Sequence, residues 1–485
     1  MKLTPLKIFL ILLLSVLIPF IFIAASVFAV SPVYDETFLG ELAANYELLK
    51  KTDEPKIVVI GGSSAAFGLD STLIGEAVGR PVVNFGLYAT LGTKMMLDLS
   101  RANIGKGDTV ILAPELDEQT LSLYFNATSA WQAIDSNPSM LLRVGFRNGS
   151  DLLGGVVEYL GKKYEYSLAG RKVTQTGVYS RSSFNESGDI VYPRPYNVMT
   201  FGYDRSTEIR LEPDIFSEEF IDYVNRYISW ARRRGAEVYF AFCPMNRDAL
   251  APGTTDDSVY EFVEFIEENL DCRVIGNPWE SILDSGYFYD TNYHLNDAGV
   301  KVHSETLAND ILRTEGATYA LMLDLPDPPG KKPESTEPVG PDWEEDPNEK
   351  YFEFGEINGL LSVTGVSEEG KSQTVLRIPD TYQGRKVLVL GGNGAAVFAE
   401  CRALTQVVIG EGLANIQDGA FSGCPSLRSI LMDREDAESL EASTELFDGV
   451  SDEVLILFYT ETALDNFSVG YWWAYHAPRM ALAKN

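Results

Sequence analysis

Soft metal ligands are scarce in this sequence. Four cysteines (Cys243, Cys272, Cys401, Cys424) and three histidines (His294, His303, His476) are spread over 485 residues. No CxxC or CxxH pair occurs, so zinc-finger and dithiol redox spacings are absent. A buried transition-metal site is not expected, and no cofactor is called for. Basic residues are scarce too: 39 Lys and Arg stand against 70 Asp and Glu, a net charge of −31. That balance excludes nucleic acid as a partner, because phosphates need Lys and Arg. It also argues against anionic lipid headgroups as the main ligand. The acidic excess reads first as a solvated surface.

Charge is missing altogether from Ile8 to Val30, a run of 23 residues. As a helix rising ~1.5 Å per residue, such a run covers a hydrocarbon core of about 30 Å. Lys2 and Lys7 precede it; Asp35, Glu36 and Glu41 follow. This asymmetry leaves the rest of the chain outside the cytoplasm. Val27-Phe28-Ala29 also fits a signal-peptide cleavage site, but the run is longer than a usual signal core. The expectation is a single-pass anchor in residues 1–34, with the bulk of the chain extracellular.

From Lys56 to Thr314 short apolar runs alternate with amphipathic stretches. Ile57–Ile60, Val82–Phe85, Thr109–Ala113, Glu237–Phe242 and Arg273–Gly276 read as strands covered on both faces. Ser217 precedes Glu218-Glu219 as a helix cap, and Arg232-Arg233-Arg234 with Gly235 ends that helix. A second helix is expected over about 257–270, and a last one from near Asn296. This is a doubly wound α/β pattern with a parallel sheet. It occupies residues 35–320, with an insertion over about 116–213. A long insertion at the end of a central strand is where lids and substrate walls sit.

Residues 321–350 are dense in Pro, Glu and Asp and read as an extended linker. The last region, 351–485, holds an internal repeat. Phe398/Phe421, Cys401/Cys424, Leu404/Leu427 and Val407/Ile430 each lie 23 residues apart, in the leucine-rich-repeat range. The two cysteines share a repeat position and are expected to stack as small buried groups; a disulfide is the alternative. FAECRALTQVVI, ANIQDGAFSGCPSL and RIPDTYQGRKVLVLG resemble the bacterial surface (BspA-like) leucine-rich repeats. That resemblance implies an adhesion or protein-interaction module with a protein partner; a solenoid without a partner is the other reading.

Two polar clusters carry the chemistry. KIVVIGGSSAAFGLDS places Ser63 just beyond the first strand, with a helix expected to begin near Asp70. In an open parallel sheet, ligands bind at that edge. The glycines allow a sharp turn and an exposed amide, although a plain strand-to-helix turn also favours serine. A serine nucleophile needs a base, and the base an orienting group. YDTNYHLNDAG, Tyr289 to Gly299, offers His294 with Asp290 four residues earlier, and Asn296 to cap the last helix. His303 fits a structural histidine inside that helix, and His476 belongs to the repeat region.

With these residues in place, 56–314 resemble the SGNH/GDSL hydrolase superfamily. Gly61-Gly62-Ser63 match its first block, Gly86 in VVNFGLYATLG its second, and Asp290, His294, Asn296 and Gly299 its last. The resemblance implies a three-layer, flavodoxin-like parallel sheet. It implies Ser63 as nucleophile, His294 as base and Asp290 as its orienting carboxylate, with the Ser63 and Gly86 amides forming an oxyanion hole. Two departures stand out. Pro114-Glu115 occupies the place of the family's third-block Asn, and a carboxylate cannot donate unless protonated; Glu115 either weakens the hole or serves a substrate. Three residues, not two, separate Asp290 from His294, and Ser64 is the register alternative to Ser63. The implied activity is an extracellular, membrane-tethered serine esterase or O-acyltransferase acting on acylated cell-surface carbohydrate or another ester. The rival is a catalytically inactive surface adhesion protein that works through its repeats.

Overall fold

The computed structural model describes residues 5–175, 177–199, 201–329, 349–357, 359–392, 396–437, 439–442, 446–447, 450–451, 453–469 and 472–483. Its centre is a parallel five-stranded sheet. The strands are β1 (Ile57–Gly61), β2 (Val82–Gly86), β3 (Thr109–Ala113), β4 (Glu237–Ala241) and β5 (Arg273–Ile275), in the order β2-β1-β3-β4-β5. The expected strands are all present, each ending within a residue of the apolar run that marks it. The register aligns Gly61 with Gly86 and with Ala113, so the carboxyl ends of β1, β2 and β3 are level. Whatever follows these three strands is therefore delivered to one edge.

Alternate strand residues face opposite layers. Val58, Ile60, Val83, Phe85, Val110, Leu112, Val238 and Phe240 join one large core. That core includes Leu42 and Leu49 of α1 (Glu41–Lys51), Met95, Met96 and Leu99 of α2 (Thr93–Ser100), and Tyr227 and Ile228 of α3 (Glu218–Arg233). Ile57, Val59, Ile111, Tyr239 and Ala241 pack on the other side, with Leu307, Ala308 and Ile311 of the last helix of this region, Asp297–Thr314. Each strand is thus buried on both faces, which is why its sequence is a continuous apolar run. Ser217 caps α3 by accepting from the Phe220 N–H (3.2 Å).

The turn that carries Ser63 differs from expectation. A six-residue helix, Ser63–Gly68, starts directly at Ser63, and Asp70 caps a separate helix, Ser71–Val78. The insertion is more ordered than its composition suggests, with helices Ala127–Ile134 and Leu141–Leu168. A buried cluster joins it to the segment after the N-terminal helix. Asp135 Oδ2 accepts from the Val33 and Tyr34 N–H groups (2.6 and 3.0 Å), while Oδ1 accepts from Tyr159 Oη and Lys163 Nζ (2.6 and 2.7 Å). All the polar valences of a buried carboxylate are met, as burial requires.

The apolar N-terminal run lies in the helix Pro5–Ala29. Among the described residues no helix is long and apolar enough to cross a membrane, and the anchor remains an expectation of the sequence. Most of the linker expected at 321–350, residues 330–348, lies outside the described residues. The C-terminal region stacks short parallel strands into a solenoid. Gln406–Ile409 pairs with Ser429–Met432, and that with Leu455–Phe458. Phe398 stacks on Phe421 (5.5 Å between ring centres) and Phe421 on Phe447 (6.1 Å). Cys401 and Cys424 are buried free thiols in adjacent turns.

Candidate active site

Ser63, His294 and Asp290 form one continuous chain of hydrogen bonds. Ser63 Oγ lies 2.8 Å from His294 Nε2, and His294 Nδ1 lies 2.8 Å from Asp290 Oδ1. With the carboxylate at Nδ1, that nitrogen carries the proton, and Nε2 is left to accept from the serine. Ser63 is held at the head of its helix, directly beyond β1. Ser64, the register alternative, turns elsewhere: its hydroxyl is buried with no partner among the described residues, and its N–H is bound by Glu115.

The imidazole is positioned from several sides. Phe67, one turn beyond Ser63, stacks flat on it, 3.9 Å between ring centres with a 5° tilt. The loop is closed by the Tyr289 N–H to His294 C=O bond (2.8 Å), and Thr291 Oγ1 accepts from the His294 N–H (3.0 Å). That closed loop accommodates the third intervening residue while Asp290 still reaches Nδ1. Asn296 caps the next helix, accepting from the Ala298 and Gly299 N–H groups (3.2 and 3.0 Å), and its amide donates to the Gly286 and Phe288 carbonyls (2.7 and 3.1 Å). Gly299 is dictated by space, since a Cβ there would stand 2.4 Å from the Tyr287 carbonyl oxygen.

A fourth side chain joins from the insertion. Tyr179 Oη donates to Asp290 Oδ2 at 2.6 Å. Both oxygens of Asp290 are therefore engaged, one by the base and one by a phenol. Nothing in the sequence marks Tyr179. It comes from an irregular segment 111 residues from Asp290, and Phe38 and Phe67 pack around its ring (5.5 and 5.7 Å) there.

The Gly86 amide, expected in an oxyanion hole, is engaged elsewhere: it donates to Asn84 Oδ1 (3.1 Å). Asn84 Nδ2 in turn donates to the Ala65 carbonyl (2.8 Å) and to Asp189 Oδ1 (2.9 Å). Asp189 also holds Ser71 through its N–H and hydroxyl (2.8 and 2.7 Å). Burial pushes the Asp189 carboxyl above its usual range, against these hydrogen bonds. Gly86 has a different constraint in this structure. A Cβ on it would lie 2.4 Å from the Ala65 Cβ and 2.7 Å from the Gly62 carbonyl oxygen. The strand presses on the turn that carries Ser63, and only glycine permits it.

Glu115, at the end of β3, lies against the same turn. Its Oε1 accepts from the Ser64 N–H (2.7 Å) and sits 3.0 Å from Ser63 Oγ. A Cβ on Gly62 would meet that oxygen at 2.9 Å. The carboxyl is buried, and burial raises its pKa; His294 opposes the rise and Asp117 adds to it. His303 is buried inside the helix Asp297–Thr314, its imidazole pushed down to about 4 by burial, with no partner for Nδ1 among the described residues. It takes no part in the Ser63 chain. Among the described residues no group of three or more His, Cys, Asp or Glu side chains is placed to hold a metal ion.

No family model matches the chain, and no curated protein matches it either. The chemistry of the site has to be read from its geometry. A serine oxygen hydrogen-bonded to an imidazole whose far nitrogen is held by a carboxylate is an arrangement for nucleophilic acyl transfer.

Proposed function

We propose that the chain is an SGNH-type serine esterase or O-acyltransferase, tethered to the outer face of a membrane and acting on acylated surface carbohydrate. The observation that carries this reading is the Ser63–His294–Asp290 chain, with both links at 2.8 Å. In the reaction Ser63 Oγ attacks the ester carbonyl while His294 Nε2 takes the serine proton. The imidazolium, paired with Asp290, then returns that proton to the departing alcohol oxygen, leaving an acyl-serine. A second hydroxyl, from water or from a sugar, is deprotonated by His294 and takes the acyl group, and Ser63 recovers its proton.

The doubly wound sheet with order β2-β1-β3-β4-β5 agrees with the flavodoxin-like scaffold of that superfamily. The tether is supported by the uncharged run Ile8–Val30 and by the exposure of Ile11, Leu14, Ile18 and Phe22 on the N-terminal helix, which an apolar surrounding would cover. The test is a fluorophosphonate probe and p-nitrophenyl acetate on the full chain and on Ser63→Ala. Labelling and turnover are expected in the parent and absent from the variant. Labelling that survives the substitution would remove Ser63 from its role.

One observation favours a second reading. Glu115 puts a carboxyl group where the family pattern has a donor amide, 3.0 Å from Ser63 Oγ. A permanently ionised group there would oppose an oxyanion and suit a surface binding protein with an inert hydrolase domain. Absence of labelling and turnover in the full chain, together with capture of a surface partner that is lost when the repeats are altered, would support it.

A further inference from the structure

The third-block position reads as a loss only if Glu115 is ionised, and its surroundings disfavour that form. Its side chain is enclosed at the ends of β1 and β3. The groups that face it are Ser63 and Ser64 from the nucleophile turn, Asp117 from its own segment, the Cys243 thiol beyond β4, and Tyr293 and His294 from the last loop. Cys243 and Tyr293 are themselves held neutral by burial, with Asp117 adding to the effect. Against these, His294 and, to a smaller extent, the Ser64 N–H and the Ser63 hydroxyl draw Glu115 toward its charged form, and burial outweighs them.

The two carboxyl oxygens have different surroundings. Oε1 accepts from the Ser64 N–H and lies beside Ser63 Oγ. Among the described residues Oε2 has no hydrogen-bond partner and is not enclosed without one. A neutral carboxylic acid so placed is fixed by its carbonyl oxygen and carries one free O–H. The Gly86 amide is already committed to Asn84, which leaves the oxyanion one donor short.

We propose that Glu115 is a catalytic acid of the acyl-transfer site: held by Ser64 through Oε1, it donates its Oε2 hydrogen to the carbonyl oxygen that turns negative when Ser63 attacks. The proton is shared during the attack and returns to Oε2 when the tetrahedral adduct collapses, so nothing is consumed. A carboxylic acid kept neutral by an apolar site is a competent oxyanion donor, and a donor works when it sits about 3 Å from the developing charge. This inference rests on the acyl-transfer reading of the site and gives its departure from the family pattern a chemical role.

The test compares the full chain with Glu115→Gln and Glu115→Ala by kcat/KM for p-nitrophenyl acetate from acid to alkaline pH, with thermal melting alongside. The parent is expected to lose activity on an alkaline limb as Glu115 ionises. Glu115→Gln, which supplies an N–H in place of the O–H, is expected to stay within about tenfold of the parent at neutral pH and to lack that limb; Glu115→Ala is expected to fall by about 10²–10³-fold. The proposal is overturned if the two variants behave alike, if Glu115→Gln is faster than the parent at neutral pH, or if the limb persists in Glu115→Gln. Should neither variant fold, the parent alone decides, because a profile flat to alkaline pH overturns the proposal. A parent with no Ser63-dependent turnover overturns the acyl-transfer reading itself, and the role of Glu115 with it; a parent that turns over normally beside an unaffected Glu115→Ala removes Glu115 alone.

Discussion

Replacing Gly86 by alanine tests whether the proposed site depends on the pressure of β2 against the turn that carries Ser63. The added methyl would stand 2.4 Å from the Ala65 Cβ and 2.7 Å from the Gly62 carbonyl oxygen. Ordinary carbon contacts lie at about 3.5–4.0 Å, so roughly 1 Å must be found. The strand cannot retreat freely, because β2 is bonded to β1 along its whole length, from Ile57↔Val82 to Gly61↔Gly86. The helix beginning at Ser63 has to give way, and both atoms in the clash flank Ser63. Overpacking of this kind costs about 1–3 kcal/mol, read as a melting point lowered by several degrees. A misplacement of about 1 Å at a nucleophile costs on the order of 10²-fold in rate. Gly86→Ala is therefore expected to lose about two orders of magnitude in kcat/KM for an activated ester while remaining folded. The substitution keeps the backbone N–H, so the loss traces to the methyl group. Gly161, in the helix Leu141–Leu168, is the control: a Cβ there meets nothing within 4 Å, and Gly161→Ala is expected to be neutral or stabilising by up to ~1 kcal/mol. A Gly86→Ala variant with parental kcat/KM would refute the close approach on which this reasoning stands.

Two further outcomes follow from the same geometry. Tyr179→Phe removes the hydrogen bond to Asp290 Oδ2; bonds to charged groups contribute about 1.5–3 kcal/mol, so kcat/KM is expected to fall at least tenfold with a displaced acid limb, and a rate profile identical to the parent would exclude Tyr179 as a positioning residue. His303 is buried, and its folded pKa of about 4 lies below the ordinary value of 6.5; its contribution to stability is present above pH 6.5 and is lost as pH falls from 6.5 toward 4, by about 3 kcal/mol at ~1.4 kcal/mol per unit. Melting temperature against pH for the parent and His303→Gln checks this, the variant being expected to show a shallower decline over that window, and equal slopes refuting it.

The sheet was legible because each of its strands is buried on both sides. Ile57–Ile60 and Thr109–Ala113 are unbroken apolar runs, and the alternation between the two cores explains why no polar residue interrupts them. The helix Leu141–Leu168 was not legible, since five glycines at 145, 149, 154, 155 and 161 lower its helix propensity by about 1 kcal/mol each. Gly155 shows why one of them is there: a Cβ would lie 2.7 Å from the Ala127 carbonyl carbon and the Thr128 nitrogen, so the two insertion helices approach closely at that point. The repeat region was legible in part. The spacing of 23 pairs Val407 with Ile430, but the next turn pairs Ile430 with Ile456, a spacing of 26 that conceals it from a search at fixed period.

The Ser63 and His294 pairing was legible for a topological reason. A residue immediately beyond a parallel strand must appear at the carboxyl edge, so Ser63 after β1 and Glu115 after β3 had to be near neighbours once β1 and β3 were adjacent. Position at an edge does not determine which group binds which. The Gly86 amide is at the expected edge and yet bonds Asn84, two residues back in the same strand, because Asn84 is itself held by Asp189 from the insertion. Tyr179 reaches Asp290 from the same insertion. These two contacts share one origin: a segment of irregular backbone that contributes no strand to the sheet but reaches both its second strand and the loop that carries Asp290 and His294. If that origin is right, substitutions at Asp189 and Tyr179 should each perturb the site without moving the sheet, because neither residue belongs to it.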